Sequence, residues 1–351
     1  MPITAVDSIP LAVEHTRQQL FRPFRIAQWT KLAFVGLLAG ELGFNGCNFN
    51  FQSPGHGGGG APPTPFPGHP GIDPALLTVL IAAVIIAGLA IGIILLYVSS
   101  VMRFVLFDSI LAKECHVRWR WYRRLNPGWR YFVWRFLYLF LTTLAVLVLV
   151  GIPVAVAFAD GWFRHPKEHM AALVFGGIIL FVELLLFGVA TTLILVLTKD
   201  FVVPQMALED INVMEGWRRL WPMMQAEKGA YAAYIAVKIA LALVAATLIG
   251  IAAFILGLII ALPSIGLGLV AVLTGKTAGL TWNAHTIALA VVIGCILLAI
   301  FLYLVSLIYV PAIVFFPAYS IYFFAARYPP LADALNPAKP APDPAPGAAT
   351  A

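Results

Sequence analysis

The segment at residues 171–197 reads AALVFGGIILFVELLLFGVATTLILVL, and its one charged side chain is that of Glu183. A helix needs about 20 consecutive apolar residues to cross the hydrocarbon core of a bilayer. Only helices and closed barrels span lipid, because lipid offers the backbone no hydrogen-bond partners. The apolar run is continuous rather than alternating, which favours a helix over a barrel strand. The segment therefore predicts a transmembrane helix.

Similar blocks recur along the chain, whose 351 residues are 61% hydrophobic and only 11% charged. A soluble domain averages about 45–50% apolar and about 25% charged residues. We therefore expect an all-α polytopic integral membrane protein with six transmembrane helices. The spans are predicted at residues 27–44, 75–102, 132–159, 171–197, 231–262 and 286–316.

The Lys and Arg residues are distributed unevenly between the two sides of this topology. Cytoplasmic loops of membrane proteins carry an excess of these residues. Of the 22 Lys and Arg residues, all but Arg164, Lys167 and Lys276 lie in segments that alternating spans place on one side. The distribution predicts that both termini are cytosolic and that the protein is a multi-pass protein of the inner (cytoplasmic) membrane.

The domain organisation follows from the position of the last span. We predict one membrane domain at residues 1–328 and a Pro/Ala-rich tail at residues 329–351, whose composition is typical of disorder. Between the last two spans, an apolar stretch at residues 265–273 is too short to cross. It either lies in the interface or re-enters the bilayer, and the sequence leaves both open.

A short pattern occurs three times in the predicted cytosolic segments. The copies are Arg17-Gln18-Gln19-Leu20 before Pro23, Tyr122-Arg123-Arg124-Leu125 before Pro127, and Trp217-Arg218-Arg219-Leu220 before Pro222. Each copy precedes one pair of spans, which predicts three parallel repeat units at residues 1–102, 103–198 and 199–328. Each unit would combine an amphipathic interfacial helix with a two-span hairpin. The alternative is that any basic amphipathic juncture looks similar.

The third copy shows the expected helix most clearly. Apolar side chains recur at intervals of three and four residues and share one helix face: Ala207, Ile211, Met214, Trp217 and Trp221. Glu215 and Arg219 are spaced to pair at i,i+4. Pro222 is expected to end the helix after Leu220.

Basic and aromatic residues are interleaved in the segment 103–135, which holds eight Lys and Arg residues. This combination also binds nucleic acid. Here the flanking spans hold it at the headgroup level, where aromatic belts and anionic lipid account for both residue types. We expect membrane lipids with anionic headgroups as partners, and no nucleic acid. The predicted headgroup contacts are Arg118, Arg120, Arg123, Arg124, Arg218 and Arg219.

A longer motif surrounds the third copy. It comprises Phe201-Val202-Val203-Pro204, Glu209, Glu215-Gly216-Trp217-Arg218-Arg219-Leu220-Trp221-Pro222 and Gly229. The motif resembles that of uncharacterised prokaryotic six-span membrane proteins related to the membrane domain of glycerophosphoryl diester phosphodiesterases. Residues 99–108 resemble the matching segment of the preceding unit. The resemblance implies a fold more than an activity. The chain has no His-Arg dipeptide, and hence no catalytic His-Arg-Gly start, so phosphodiesterase activity is not carried over.

Glu183 lies midway along the fourth predicted span, where a charged group costs several kcal/mol and often marks a functional cavity. Thr191 lies about two turns away on the same face. We expect these two residues to form an intramembrane polar site that faces the bundle interior. The alternative is a neutral, hydrogen-bonded carboxyl that helps the helices pack.

Three functions remain open. The favoured one is a non-catalytic membrane scaffold or envelope/lipid homeostasis factor, because basic belts are prominent and polar residues are scarce within the spans. The second is a transporter of a lipid or small solute, with Glu183 lining the path. The third is an intramembrane enzyme, for which the sequence offers no convergent nucleophile, base and metal ligands. We expect no enzymatic activity and no cofactor.

No metal site is expected either. The segment His165-Pro166-Lys167-Glu168-His169 has the spacing of the inverted zinc-protease motif. Pro166 fits only in the first turn of a helix, so the segment is better explained as an outer loop.

Overall fold

The structure is a computed structural model that describes residues 3–41, 74–163, 167–277 and 284–335. These residues form helices joined by short turns, as the all-α prediction requires. The helices are α1 (Ser8–Phe21), α2 (Ile26–Ala39), α3 (Pro74–Leu111), α4 (Val117–Arg123), α5 (Leu125–Ala159), α6 (Met170–Leu197), α7 (Val203–Glu209), α8 (Val213–Ala226), α9 (Lys228–Thr277), α10 (Ala284–Ile308), α11 (Val310–Ala325) and α12 (Pro329–Leu335).

Within the described residues, five helices are long and apolar enough to cross a membrane. They cover Leu76–Leu111, Leu125–Ala159, Met170–Glu209, Lys228–Gly268 and Thr286–Ala325. Their large apolar side chains are mostly exposed. A surface of this kind needs lipid or other helices to cover it. The chain is an all-α membrane protein, and these helices are its candidate spans.

The first predicted span differs from the expectation. α2 has 14 residues and ends at Ala39, where Gly40 adopts a left-handed conformation (φ 79°) that caps the helix. At 1.5 Å per residue its length is about 21 Å, which is short of the roughly 30 Å hydrocarbon core. The structure does not confirm the predicted span at residues 27–44, of which residues 42–44 lie outside the described chain.

The other candidate spans run past their predicted ends. A π-helical turn, Thr198–Val202, joins α6 to α7 without a break. α9 continues through Pro263 to Thr277, so the stretch at residues 265–273 extends this helix instead of forming a separate interfacial or re-entrant piece. The helix survives Pro263 because proline removes one hydrogen bond without forcing the chain to turn back.

The buried side chains gather at one end of the long helices, which we call the compact end. It contains α1, α2, α4, α7, α8, α11, α12 and the adjoining ends of α3, α5, α6 and α9. Its core is rich in aromatic rings. The fully buried ones include Phe104, Phe201, Tyr234, Tyr319 and Phe323. Close packing of these rings holds the surrounding helix backbones in fixed positions, and with them the charged side chains of the compact end.

The predicted helix of the third copy is two helices. Asp210 adopts a left-handed conformation (φ 53°) and ends α7, so Ala207 lies on a different helix from Met214 and Trp217. α8 then passes through Pro222 to Ala226, and the predicted stop after Leu220 is wrong. Its buried residues are Val213, Gly216 and Leu220, whereas Met214 and Trp221 are exposed.

The structure describes the first residues of the predicted tail. α12 forms within it and buries Leu331 against the compact end. Disorder is therefore the wrong description of residues 329–335, because an apolar side chain there finds a partner surface. Residues 336–351 lie outside the described chain.

Candidate functional site

Charged side chains from four parts of the chain meet inside the compact end, and we call them the ionic cluster. They are Glu41 after α2, Arg103 on α3, Lys199 and Asp200 on the π-helical turn, and Lys238 on α9. Lys199 pairs with Glu41, and Lys238 pairs with Asp200. Removing one partner of a buried pair leaves an uncompensated charge, so these pairs hold α2, α6 and α9 in one arrangement.

The π-helical turn presents two neighbouring residues to different partners. Lys199 is directed to Glu41, while Asp200 accepts hydrogen bonds from Lys238 and from the Tyr234 hydroxyl, the latter at 2.9 Å. Such turns occur as single-turn bulges in α-helices, frequently at functional sites. The π-helical turn therefore directs Lys199 and Asp200, at the end of α6 within the compact end, to different partners.

Arg103 occupies the centre of the cluster and is only 8% exposed. Its Nη2 donates to the carbonyl oxygen of Ala39 at 2.8 Å, whereas its Nε has no hydrogen-bond partner among the described residues. The guanidinium lies 6.0 Å from the ring centroid of Tyr131. A cavity of about 30 Å³ lies beside it, lined in part by Glu41, Lys199 and Ser320.

Two of the predicted headgroup arginines are part of the interior. Arg124 donates from Nε and Nη2 to both oxygens of Asp108, at 2.7 Å each, and from Nη1 to the carbonyl of Ala207 at 2.6 Å. Arg120 is 7% exposed. A guanidinium with these contacts joins α3, α5 and α7 and has no free face for a lipid phosphate. The prediction that Arg120 and Arg124 contact headgroups is therefore corrected.

The other side of α4 carries the features expected at a membrane surface, and we call it the α4 surface. It consists of Arg118, Trp119, Tyr122 and Arg123, all exposed. The guanidinium of Arg123 lies 5.4 Å from the ring centroid of Trp119, within the range of a cation–π contact. Because α4 packs against α3 and α5, these side chains lie beside the ends of two candidate spans that reach the compact end.

Arg218 and Arg219 on α8, both predicted to contact headgroups, have different surroundings in the structure. Arg219 pairs with Glu209 and with Glu215, whose Oε1 accepts from Nε at 3.0 Å, and this i,i+4 contact confirms the predicted pairing. The hydrogen bonds from Arg219 lower the pKa of Glu215. Arg218 contacts Glu215 at 2.8 Å, yet its side chain remains 79% exposed. Arg218 therefore suits a headgroup contact, and Arg219 is already engaged.

Residues 3–333 match a family of unknown function, DUF7544. The chain belongs to this family. No curated protein and no solved structure matches it. The DUF7544 match covers most of the chain, and it carries neither an activity nor a link to the membrane domain of glycerophosphoryl diester phosphodiesterases.

The structure of this DUF7544 protein does not enclose the intramembrane polar site predicted from the sequence. Glu183 is exposed on the surface of α6, and no hydrogen bond or ion pair joins it to another described residue. Thr191 donates to the carbonyls of Phe187 and Gly188 in its own helix, at 2.9 and 3.0 Å. Glu183 is exposed among the described helices, so the structure does not bring Glu183 and Thr191 together in an enclosed site, and an interior-facing site stays a prediction.

The described residues contain no group of three or more His, Cys, Asp and Glu side chains placed to hold a metal ion. Of the zinc-protease-like segment, His165 and Pro166 lie outside the described chain. No sequence pattern predicts the ionic cluster, because its members are isolated charges near the ends of apolar segments.

Proposed function

We propose that this protein is a non-catalytic membrane scaffold or lipid homeostasis factor that binds anionic lipid headgroups at the cytosolic surface of the inner membrane. The α4 surface carries this proposal, because it pairs exposed arginines with exposed Trp119 and Tyr122 beside the inner ends of α3 and α5. Aromatic side chains favour the headgroup level, and arginines there attract anionic lipid.

α8 supports the same function from another part of the compact end. Met214, Arg218 and Trp221 follow each other at intervals of four and three residues and are all exposed. They form one stripe on the outer side of the helix. An apolar and cationic stripe of this kind is typical of a helix that lies in the membrane interface.

The six-crossing topology with cytosolic termini forms part of the proposal. Both described ends of the chain lie in the compact end, since Arg327 donates to the carbonyl of Ile3 at 3.2 Å. An even number of crossings is needed to bring both ends to one side. The described residues contain five candidate spans, so the sixth crossing remains a hypothesis.

We also retain the three parallel repeats as a hypothesis, now with a structural reason. Phe104 and Val105 on α3 correspond in the pattern to Phe201 and Val202 on the π-helical turn, and all four side chains are fully buried. The Phe-Val pair opens the second and the third proposed unit, directly after the last predicted span of the preceding unit, where α3 and α6 reach the compact end. Equivalent positions with equivalent packing are what repeated units would produce.

Lipid retention tests the proposed function. The protein is placed in nanodiscs with equal amounts of phosphatidylglycerol and phosphatidylcholine, and lipids retained after mild extraction are counted by native mass spectrometry. We expect phosphatidylglycerol to be enriched. The double variant Arg118→Gln/Arg123→Gln should lose about 1 kcal/mol of preference per charge, or about fivefold each.

Lys167→Gln is the matched control, because it removes an exposed charge between α5 and α6 at the far end of the same helices. It should leave the lipid preference unchanged. Equal retention of both lipids by the unmodified protein, or an equal loss in the control, would disprove headgroup binding by the α4 surface. The transporter alternative is less favoured, because Glu183 is exposed and lines no path among the described helices.

A further inference from the structure

The charges of the ionic cluster do not cancel. Glu41 pairs with Lys199 and Asp200 pairs with Lys238, so no carboxylate of the described residues forms an ion pair with Arg103. Arg135 lies nearby and donates to Ser99 Oγ at 2.9 Å, again without a carboxylate. Four cationic and two carboxylate side chains give the region a formal charge of plus two.

An uncompensated positive charge inside a protein is costly, because low-dielectric surroundings stabilise it poorly. The charge of Arg103 is stabilised only in part, by one hydrogen bond to the Ala39 carbonyl and by the nearby ring of Tyr131. Its Nε, a strong donor, is buried without a hydrogen-bond partner within the described chain. Arg103 Nε therefore still lacks an acceptor, and no described carboxylate lies within ion-pair distance of the guanidinium.

The cavity beside Arg103 has room for a small group that could accept a hydrogen bond from Nε and carry a negative charge. Its lining includes Arg103, Lys199 and the hydroxyl-bearing Ser320, together with the paired carboxylates of Glu41 and Asp200. Its volume of about 30 Å³ suits one or two water-sized particles, since one water needs about 10–15 Å³ on this measure. A phosphate group with its four oxygens is too large for this space.

We propose that the cavity beside Arg103 and Lys199 is a binding site for a single small inorganic anion of chloride size. The anion accepts the hydrogen bond from Arg103 Nε and balances part of the excess positive charge. Lys199 and Lys238 offset the charges of Glu41 and Asp200. Glu41 Oε1 is buried without a hydrogen-bond partner among the described residues and opposes anion binding, against the attraction of Arg103 and Lys199. The site is separate from the exposed α4 surface, so it does not depend on headgroup binding.

Thermal unfolding in detergent tests the site, with sodium chloride titrated against sodium gluconate at constant ionic strength. Binding to the folded state alone raises the unfolding temperature by mass action. We expect a saturable rise of a few degrees with chloride. Arg103→Gln should abolish the rise, while Arg130→Gln, which changes an exposed arginine at α5, should keep it.

A second measurement uses only the unmodified protein, so it does not require the Arg103→Gln variant to fold. Crystals of the unmodified protein grown in bromide should show an anomalous peak within hydrogen-bonding distance of Arg103 Nε. Identical unfolding temperatures in chloride and gluconate, together with no bromide peak in the cavity, would mean that only water occupies it and would overturn the proposal.

Discussion

At the scale of single residues, neighbouring arginines have different roles. Arg123 stands exposed over Trp119, whereas the adjacent Arg124 is held by Asp108. The sequence places both in one basic run and predicts the same headgroup contact for each. It does not separate them, because the deciding partner lies 16 positions away on α3. Arg218 and Arg219 also differ, because Arg219 pairs with Glu209 and Glu215 whereas Arg218 stays largely exposed.

His15 provides a pH-dependent test of the compact end. Its Nε2 lies 3.1 Å from the Ile110 carbonyl and its Nδ1 lies 3.1 Å from the Tyr322 hydroxyl. A carbonyl only accepts, so Nε2 carries the proton, and neutral Nδ1 accepts from Tyr322. Burial, and then the nearby charge of Lys113, lower the pKa of His15 below 6.5.

A lowered pKa means that the unfolded chain binds the proton more readily than the folded protein does. The contribution of His15 to stability is therefore complete above about pH 6.5 and is lost as the pH falls through the lower folded pKa. We expect the unfolding temperature to fall between about pH 7 and pH 5, and His15→Gln to reduce this slope. His116→Gln, at an exposed histidine, should retain the full slope. Equal slopes in all three proteins would contradict this assignment.

At the scale of the elements, the inner end of α5 approaches α3 closely. A Cβ added at Gly128 would lie 2.7 Å from Val101 Cγ2 and 3.1 Å from Val101 Cα, which is backbone. The helices cannot relieve this contact by a side-chain rotation alone. We expect Gly128→Ala to destabilise the protein by about 1–3 kcal/mol, as other overpacked positions do.

Gly88→Ala on α3 is the control, because nothing lies within 4 Å of the added Cβ. It should be neutral, or stabilising by up to about 1 kcal/mol, since alanine favours a helix over glycine. Chemical or thermal unfolding in detergent compares the two. A Gly128→Ala protein as stable as Gly88→Ala would show that this close crossing does not form.

The sequence predicted the long apolar helices well and the short helices poorly. Five long apolar segments gave spans close to their predicted positions, because hydropathy alone requires them. The first predicted span is not confirmed, because α2 is short and packs against the compact end, where a Cβ at Gly36 would meet Ile313. The break at Asp210 left no comparable signal, since it depends on a single left-handed residue.

At the scale of the whole molecule, the sequence predicted the membrane class but not the candidate site. Glu183 attracted attention as the lone charge in a span, yet it is exposed. The ionic cluster unites residues from Glu41 to Lys238, each of which looks like an ordinary charge beside an apolar segment. Only tertiary packing brings them together, so no local pattern predicts the cluster.

The central claim is that the compact end lies at the membrane surface with the α4 surface among anionic headgroups. Cryo-electron microscopy in nanodiscs of phosphatidylglycerol and phosphatidylcholine tests it most directly, because the map shows both protein and bilayer. We predict that the headgroup layer runs at the level of Trp119 and Trp129, with lipid density at Arg118 and Arg123. A map in which the bilayer stops short of α4, leaving these four side chains in water, would contradict the account.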